Sequence, residues 1–383
     1  MRQPITIVLI VIFAGFLRSG PVEAQQFEQL QRNLEIVPPA ARNAQRLDLA
    51  NALRALHVPS VDIALIDHSS VARSRHFGAA ASNTIYQAAS LSKLVSAVAA
   101  LRLVERGALS LDRDVKDDLA SWRLPETEKA RADPVTLRRL LSMTAGIGVP
   151  GYLGYEPGAP LPSLSQILDG LPPARSPPVR VEAVPGSRYA YSGGSYEIVQ
   201  AMIEGKTRSS FQDALEDLVL RPAAMPNSYF LQPLPPDLAA RAAKGHYADG
   251  RELPGGWRII PELAAGGLWS SARDLANLLV ALSRAYNGEP NALLTTAMAR
   301  AMMTRQNHGP YGLGGAVGGS GKNLVLMKRG QNIGYQSYML IFPQIGDGIV
   351  VLTNSDNGTI LATALIRRAA TVYHWPPLGP LAD

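Results

Sequence analysis

Cysteine is absent from the 383 residues. That excludes disulfides, thiolate metal sites, a cysteine nucleophile and a lipid-modified N-terminal cysteine. Histidine is scarce, and its six positions (57, 68, 76, 246, 308 and 374) show no metal-ligand spacing. No Gly-x-Ser-x-Gly stretch occurs, which argues against the strand-turn-helix serine of the alpha/beta-hydrolases. Asp and Glu form no paired catalytic pattern. Gly315 to Asn323 approaches a phosphate-binding loop, but five residues rather than four separate Gly315 from Gly321 and Asn323 replaces Ser/Thr, so it reads as a turn before a strand. Lysine is rare too. Of 37 basic residues only seven are lysine, and the arginines are scattered without interleaved aromatics, so no nucleic-acid partner is expected. No metal or cofactor is called for.

Long apolar runs are missing except near the start. Ile5 to Leu17 follows Arg2 and precedes Val22-Glu23-Ala24, the pattern of a secretory leader over 1–24 cut after Ala24. Thirteen residues are short for a bilayer, so no membrane span is expected after cleavage and the protein is expected to be exported, periplasmic or secreted. An uncleaved N-terminal anchor is the other reading, because Arg18 follows closely. Without Arg2, Arg18 and Glu23 the formal charge of +6 becomes +5, that of a mildly basic soluble protein.

What is present supports a large core: 46% of residues are hydrophobic and 18% charged. Residues 27 to 57 show helical spacing interrupted at Pro38-Pro39. Val58 to Ile66 and Val71 to Gly78 alternate as a hairpin turning at Asp67-His68-Ser69-Ser70. An Ala/Leu/Val-rich helix follows from about residue 90 and stops at Gly107. Short helical patterns cover Val135 to Ser142 and Tyr196 to Leu220, while Gly151 to Ser187 holds eight prolines and reads as a long loop bordering a cleft. Asp274 to Tyr286 is amphipathic. Three strands follow at Asn323 to Arg329, Tyr335 to Phe342 and Gly348 to Asn354, then a helix from Ile360 to Tyr373. The fold class expected is α+β, an antiparallel sheet flanked by helices plus a mostly helical lobe. The sheet lobe would take about 25–115 and 265–383, the helical lobe about 115–265, in one domain over 25–383.

The chemistry centres on Ser90-Leu91-Ser92-Lys93 at the start of the first apolar helix. One turn separates serine and lysine and puts them on one face. In dry surroundings a lysine loses its proton more readily and can take one from a serine hydroxyl, making it a usable nucleophile. Two later stretches share this polar character. Tyr191 sits in Tyr189-Ala190-Tyr191-Ser192-Gly193-Gly194 before a helix, and Lys328 lies in Met327-Lys328-Arg329-Gly330-Gln331-Asn332 on a late strand. Two lysines flanking one phenol would stabilise its phenolate. Taken alone, Tyr191 reads more readily as a hydrogen-bonded loop tyrosine.

Ser-x-x-Lys, then Tyr-Ser-x, then Lys-x-Gly in this order resembles the class C beta-lactamases and the D-alanyl-D-alanine carboxypeptidases, within the penicillin-recognising serine hydrolases. Gly107 to Asp112, Leu137 to Gly146, Ala264 to Leu268, Gly312 to Gly314 and Phe342 to Asn357 agree with that family, and the resemblance spans about residue 40 to the end. It implies a metal-free hydrolase acting through a Ser90 acyl-enzyme on an ester, amide or beta-lactam carbonyl of a small molecule or peptide. Lys93 would be the proton partner and Tyr191 the second acid/base, with Lys328 keeping the tyrosine ionisable and holding substrate. The backbone N–H groups of Ser90 and Gln331 would form the oxyanion hole, and Gly193, Arg329, Gly330 and Asn332 would border the substrate, glycine at 330 letting it lie against the strand. The competing reading is a penicillin-binding sensor or scaffold without turnover. Three positions depart from the family: Gly193 stands where asparagine is usual, Met143 where histidine is usual, and Arg329 where a small or hydroxylated residue is usual. Strand alternation points Arg329 away from Lys328, so it is either a solvated edge charge or a clamp for a substrate carboxylate.

Overall fold

The computed structural model describes residues 21–38, 43–306 and 308–379. Most of the expected leader therefore lies outside the described residues. Six strands form one antiparallel sheet in the order Ser70–Gly78, Ser60–Asp67, Asp347–Thr353, Tyr335–Phe342, Val325–Asn332, Ala316–Gly318. The hairpin and the three late strands are those expected from alternation. The three-residue edge strand Ala316–Gly318 replaces part of the expected turn, and a 3-10 turn, Gly321–Asn323, leads from it to the next strand.

Period-two alternation divides the sheet residues between two cores. Ala64, Ile66, Leu326, Met339, Val350 and Leu352 face the helical side. Ile63, Leu65, Met327, Tyr338, Leu340 and Val351 face the closing helix Gly358–Val372, with Phe27 and Leu30 of the helix Pro21–Leu30 beside it. The amphipathic helix Ala272–Asn287 packs on the first face. Its start is fixed twice: Ser271 Oγ accepts the Asp274 N–H at 3.2 Å, and Asp62 of the sheet accepts the Ala272 N–H at 2.7 Å. Each such cap is worth about 1 kcal/mol. No helix among the described residues is long and apolar enough to cross a membrane.

Two expectations change. Between residues 27 and 57 the chain is not helical throughout: Leu34–Ile36 and Gln45–Leu47 pair as a small antiparallel sheet before the helix Leu49–Ala55. Leucines three and four apart imitate helical periodicity there. The stretch 196–220 is broken at Arg208, which is left-handed (φ 55°), into the helix Gly194–Thr207, the helix Phe211–Leu215 and a π turn, Glu216–Leu220. The helix Ser92–Glu105 packs against Gly194–Thr207 and Leu263–Gly266. Eleven of its fourteen residues are buried, so it is covered on most sides. The loop of 151–187 carries one short helix, Leu164–Asp169, opened by a capping box of Ser163 and Gln166.

Candidate active site

Ser90 occupies a 3-10 turn, Ala89–Leu91, that opens the helix Ser92–Glu105. Ala89 is left-handed at φ 51°, which costs a non-glycine residue roughly 1–2 kcal/mol and aims the turn at the cleft. The turn is pressed against the strand Val325–Asn332. A side chain on Gly330 would lie 2.5 Å from the Ala88 carbonyl oxygen and 2.9 Å from Ser90 N, so only glycine permits the approach. The space a side chain would fill is protein, so glycine at 330 serves the docking of the serine turn.

One turn along, Lys93 is buried, and its Nζ donates to Ser90 Oγ at 3.1 Å and to the Ala265 carbonyl at 2.6 Å. The same ammonium lies over the rings of Tyr191 and Tyr196. Across the cleft, Lys328 shares the sheet face of Leu326 and is buried beneath two phenols; its Nζ is 3.3 Å from Tyr191 Oη and 2.7 Å from Tyr311 Oη. The loop bearing Tyr191 is held by Met143, at the position where histidine was expected. Its carbonyl accepts the Ala190 N–H at 2.8 Å and its sulfur the Ser192 N–H at 3.3 Å.

The electrostatics follow from this crowding. Burial pushes the Tyr191 phenol up, but the charge of Lys328, then that of Lys93, with hydrogen bonds from Ser90 and Lys328, outweigh burial and bring it down to about 7. Burial draws Lys328 down to about 8, against the nearby Tyr191. Tyr311 moves the opposite way, upward, through burial and the proximity of Tyr191 and Tyr189. The three phenols thus divide: Tyr191 ionises near neutrality, whereas Tyr189 (raised to about 12 chiefly by burial) and Tyr311 stay protonated. Ser90, Lys93, Tyr191, Lys328, Tyr311 and Gln331 all line one open cavity of about 530 Å³.

The other expected substrate contacts fare differently. Gly193 is buried, and a side chain there would meet the Tyr152 ring at 2.9 Å, so the aromatic ring stands in the path of the usual asparagine. Asn332 borders the cavity, but its amide donates to Gln87 Oε1 at 2.7 Å and to the Gly266 carbonyl at 3.3 Å, which leaves its oxygen for a ligand. Arg329 follows the alternation rule: it pairs across the strands with Tyr338, a residue of the core on the far face, and its charge acts on that phenol, which burial raises to about 12. Arg329 is also among the residues that line the cavity. Sequence reasoning missed Tyr311, Tyr152, Glu197, Glu262 and the Ala265 carbonyl. Single tyrosines and glutamates in apolar stretches carry no spacing signal.

Similarity agrees with the geometry. Residues 45–373 match the Beta-lactamase family. The chain is 27% identical to Penicillin-binding protein 4 of Amycolatopsis lactamdurans over 341 residues, 81% of this chain and 84% of that one. It is 30% identical to Esterase EstB of Burkholderia gladioli over 181 residues, 45% of this chain and 44% of the esterase. Among solved structures, D-amino acid amidase from Ochrobactrum anthropi SV3 superposes with TM-score 0.70 at 17% identity, covering 91% of this chain and 99% of the amidase, a likeness of fold. The octameric penicillin-binding protein homologue from Pyrococcus abyssi superposes at 0.68 with 24% identity, over 86% and 77% of the two chains. With residues 45–373 matched, most of its length, and the serine, tyrosine and two lysines gathered in one cleft, the chain belongs to the beta-lactamase family of serine hydrolases.

Proposed function

We propose that the protein is an exported hydrolase that works through a Ser90 acyl-enzyme and favours esters over substrates that rely on an acylamide contact. The observation that carries the reading is the contact of Lys93 Nζ with Ser90 Oγ at 3.1 Å, beside a phenol brought down to about 7. Ser90 Oγ bonds to the substrate carbonyl carbon while its proton passes to the Lys93–Tyr191 pair. The oxygen that becomes negative meets the backbone N–H groups of Ser90 and Gln331. Tyr191 returns the proton to the departing alcohol or amine, and then takes one from the water that releases the acyl group. Lys328 keeps the phenol ionisable throughout.

The preference for esters rests on Gly193 and Tyr152. Without a side-chain amide at 193, a substrate's own amide loses a partner, at a cost of roughly 1–3 kcal/mol, or about ten- to a hundredfold. An ester without that amide loses nothing comparable, and the Tyr152 ring offers it an apolar wall. The names Esterase EstB and Penicillin-binding protein 4 among the relatives fit both branches of the chemistry.

The test is incubation of the purified protein with a fluorescent penicillin and, separately, with a chromogenic p-nitrophenyl ester. Ester turnover with weak or slow penicillin labelling is expected. Lasting label without turnover identifies a sensor, and neither signal sinks the acyl-serine reading. For export, the mature protein recovered from the cell envelope or medium should begin at Gln25; recovery from the cytoplasm with Met1 intact would refute the leader.

A further inference from the structure

Behind the reacting groups, the turn 264–268 is gripped from both sides. The helix Gly194–Thr207 takes its N–H groups: Glu197 Oε1 accepts that of Ala265 at 3.1 Å, and Gln200 Oε1, one turn on, accepts that of Ala264 at 3.2 Å. The helix Ser92–Glu105 meets its other groups: Ser96 Oγ donates to the Ala264 carbonyl at 3.3 Å, and Ser92 Oγ accepts the Leu268 N–H at 3.0 Å. The Ala265 residue so held is the one whose carbonyl receives Lys93 Nζ at 2.6 Å. A path of contacts therefore runs from Glu197 through one residue's backbone to Lys93 and on to Ser90.

We propose, resting on the acyl-enzyme reading above, that Glu197 is a positioning residue for Lys93: by holding the Ala265 N–H it fixes the carbonyl that aims the lysine at Ser90. Glu197 is wholly buried, and its second oxygen has no hydrogen-bond partner among the described residues. Burial first, and then the neighbouring Glu262, hold its carboxyl well above the usual range, against the Ala265 N–H and Lys93. The groups facing it are Lys93 from the serine helix, Glu262 ahead of the 263–266 turn, Tyr152 from the loop over Gly193, and Glu204 on its own helix. The contact that holds the peptide needs only the acceptor oxygen Oε1. Glutamine has the same shape and the same acceptor oxygen, which makes it the discriminating replacement.

The experiment measures the rate at which a fluorophosphonate labels the full chain, referred to the folded fraction by near-ultraviolet circular dichroism. Glu197→Leu, with Glu197→Met as the second apolar variant should the first fail to fold, removes the acceptor and is expected to slow labelling by about ten- to a hundredfold. Glu197→Gln is expected to restore the rate to within about threefold of wild type. In a Lys93→Ala background the apolar replacement should add less than about twofold, because the two residues act as one unit. A loss of equal size with and without Lys93 means a merely structural role and overturns the proposal, as does wild-type labelling in both apolar variants. Failure of glutamine to restore the rate overturns it as well, because charge would then be what matters. Loss of the underlying reading looks different: a wild type that takes no label, or a Ser90→Ala variant that labels as fast, removes both.

Discussion

Replacing Lys328 by methionine isolates one electrostatic effect, because the thioether fills nearly the same volume without charge. Lys328 is the largest of the influences that lower Tyr191, second only to the opposing effect of burial. With it gone, burial still pushes the phenol up and only Lys93 and the hydrogen bond from Ser90 oppose it, so ionisation should return to the neighbourhood of about 9 to 10, close to an ordinary tyrosine at about 10. At pH 7 wild-type Tyr191 is about half phenolate; in the variant the phenolate falls to between about one part in a hundred and one in a thousand. Labelling of Ser90 should therefore slow by about fifty- to five-hundredfold at pH 7. At pH 9 the same arithmetic leaves only about a two- to tenfold loss. The assay is the fluorophosphonate labelling rate from pH 5 to 10, alongside the near-ultraviolet absorbance of phenolate. A variant whose loss is the same at every pH, or whose midpoint stays near 7, would refute the assignment of Lys328 as the group that tunes Tyr191.

Ser90→Ala should abolish covalent labelling, and Lys93→Ala and Tyr191→Phe should each slow it by on the order of a hundredfold, with the double variant little worse than either; full-rate labelling in Lys93→Ala contradicts the role of that lysine as proton partner. Gly330→Ala places a methyl 2.3 Å from Ser337 Oγ and 2.5 Å from the Ala88 carbonyl, so it should lower stability by about 1–3 kcal/mol and slow labelling by displacing the serine turn. Unchanged melting temperature and rate would show that the strand yields freely. Glu262 is raised from 4.5 to about 7, chiefly by burial. Its contribution is fully present below 4.5 and is lost as pH rises through about 7, a change of about 3 kcal/mol at most. Glu262→Gln should therefore gain stability relative to wild type between pH 5 and 8 in chemical denaturation, and a relative loss over that range rejects the argument.

The candidate quartet was legible because three short motifs follow one another in a recognisable order, with Ser90 and Lys93 before a helix, Tyr191 in a glycine turn and Lys328 in a strand, and the structure brings all four to one cleft. The main strands were legible because alternation divides them between two cores. The supporting residues were not. Tyr311, Tyr152 and Glu197 come from a loop, a proline-rich segment and a helix interior, and only tertiary packing brings the two tyrosines to the cleft and the glutamate behind it. Leu34–Ile36 and Ala316–Gly318 were missed because three residues hold too little alternation to compete with helical leucine spacing or with glycine-rich turns.

Gly193 and Tyr152 contend for a single volume, and this fixes the order in which the cleft can change. A side chain at 193 enters only after the ring at 152 has withdrawn or been exchanged for something smaller, so the first substitution made alone meets atoms 2.9 Å away. The reverse order opens a void and carries little steric cost. Lineages that exchange aromatic walls for amide donors at this position should therefore pass through an intermediate small at both sites, and laboratory libraries that vary 193 without 152 will under-sample the amide-bearing solutions.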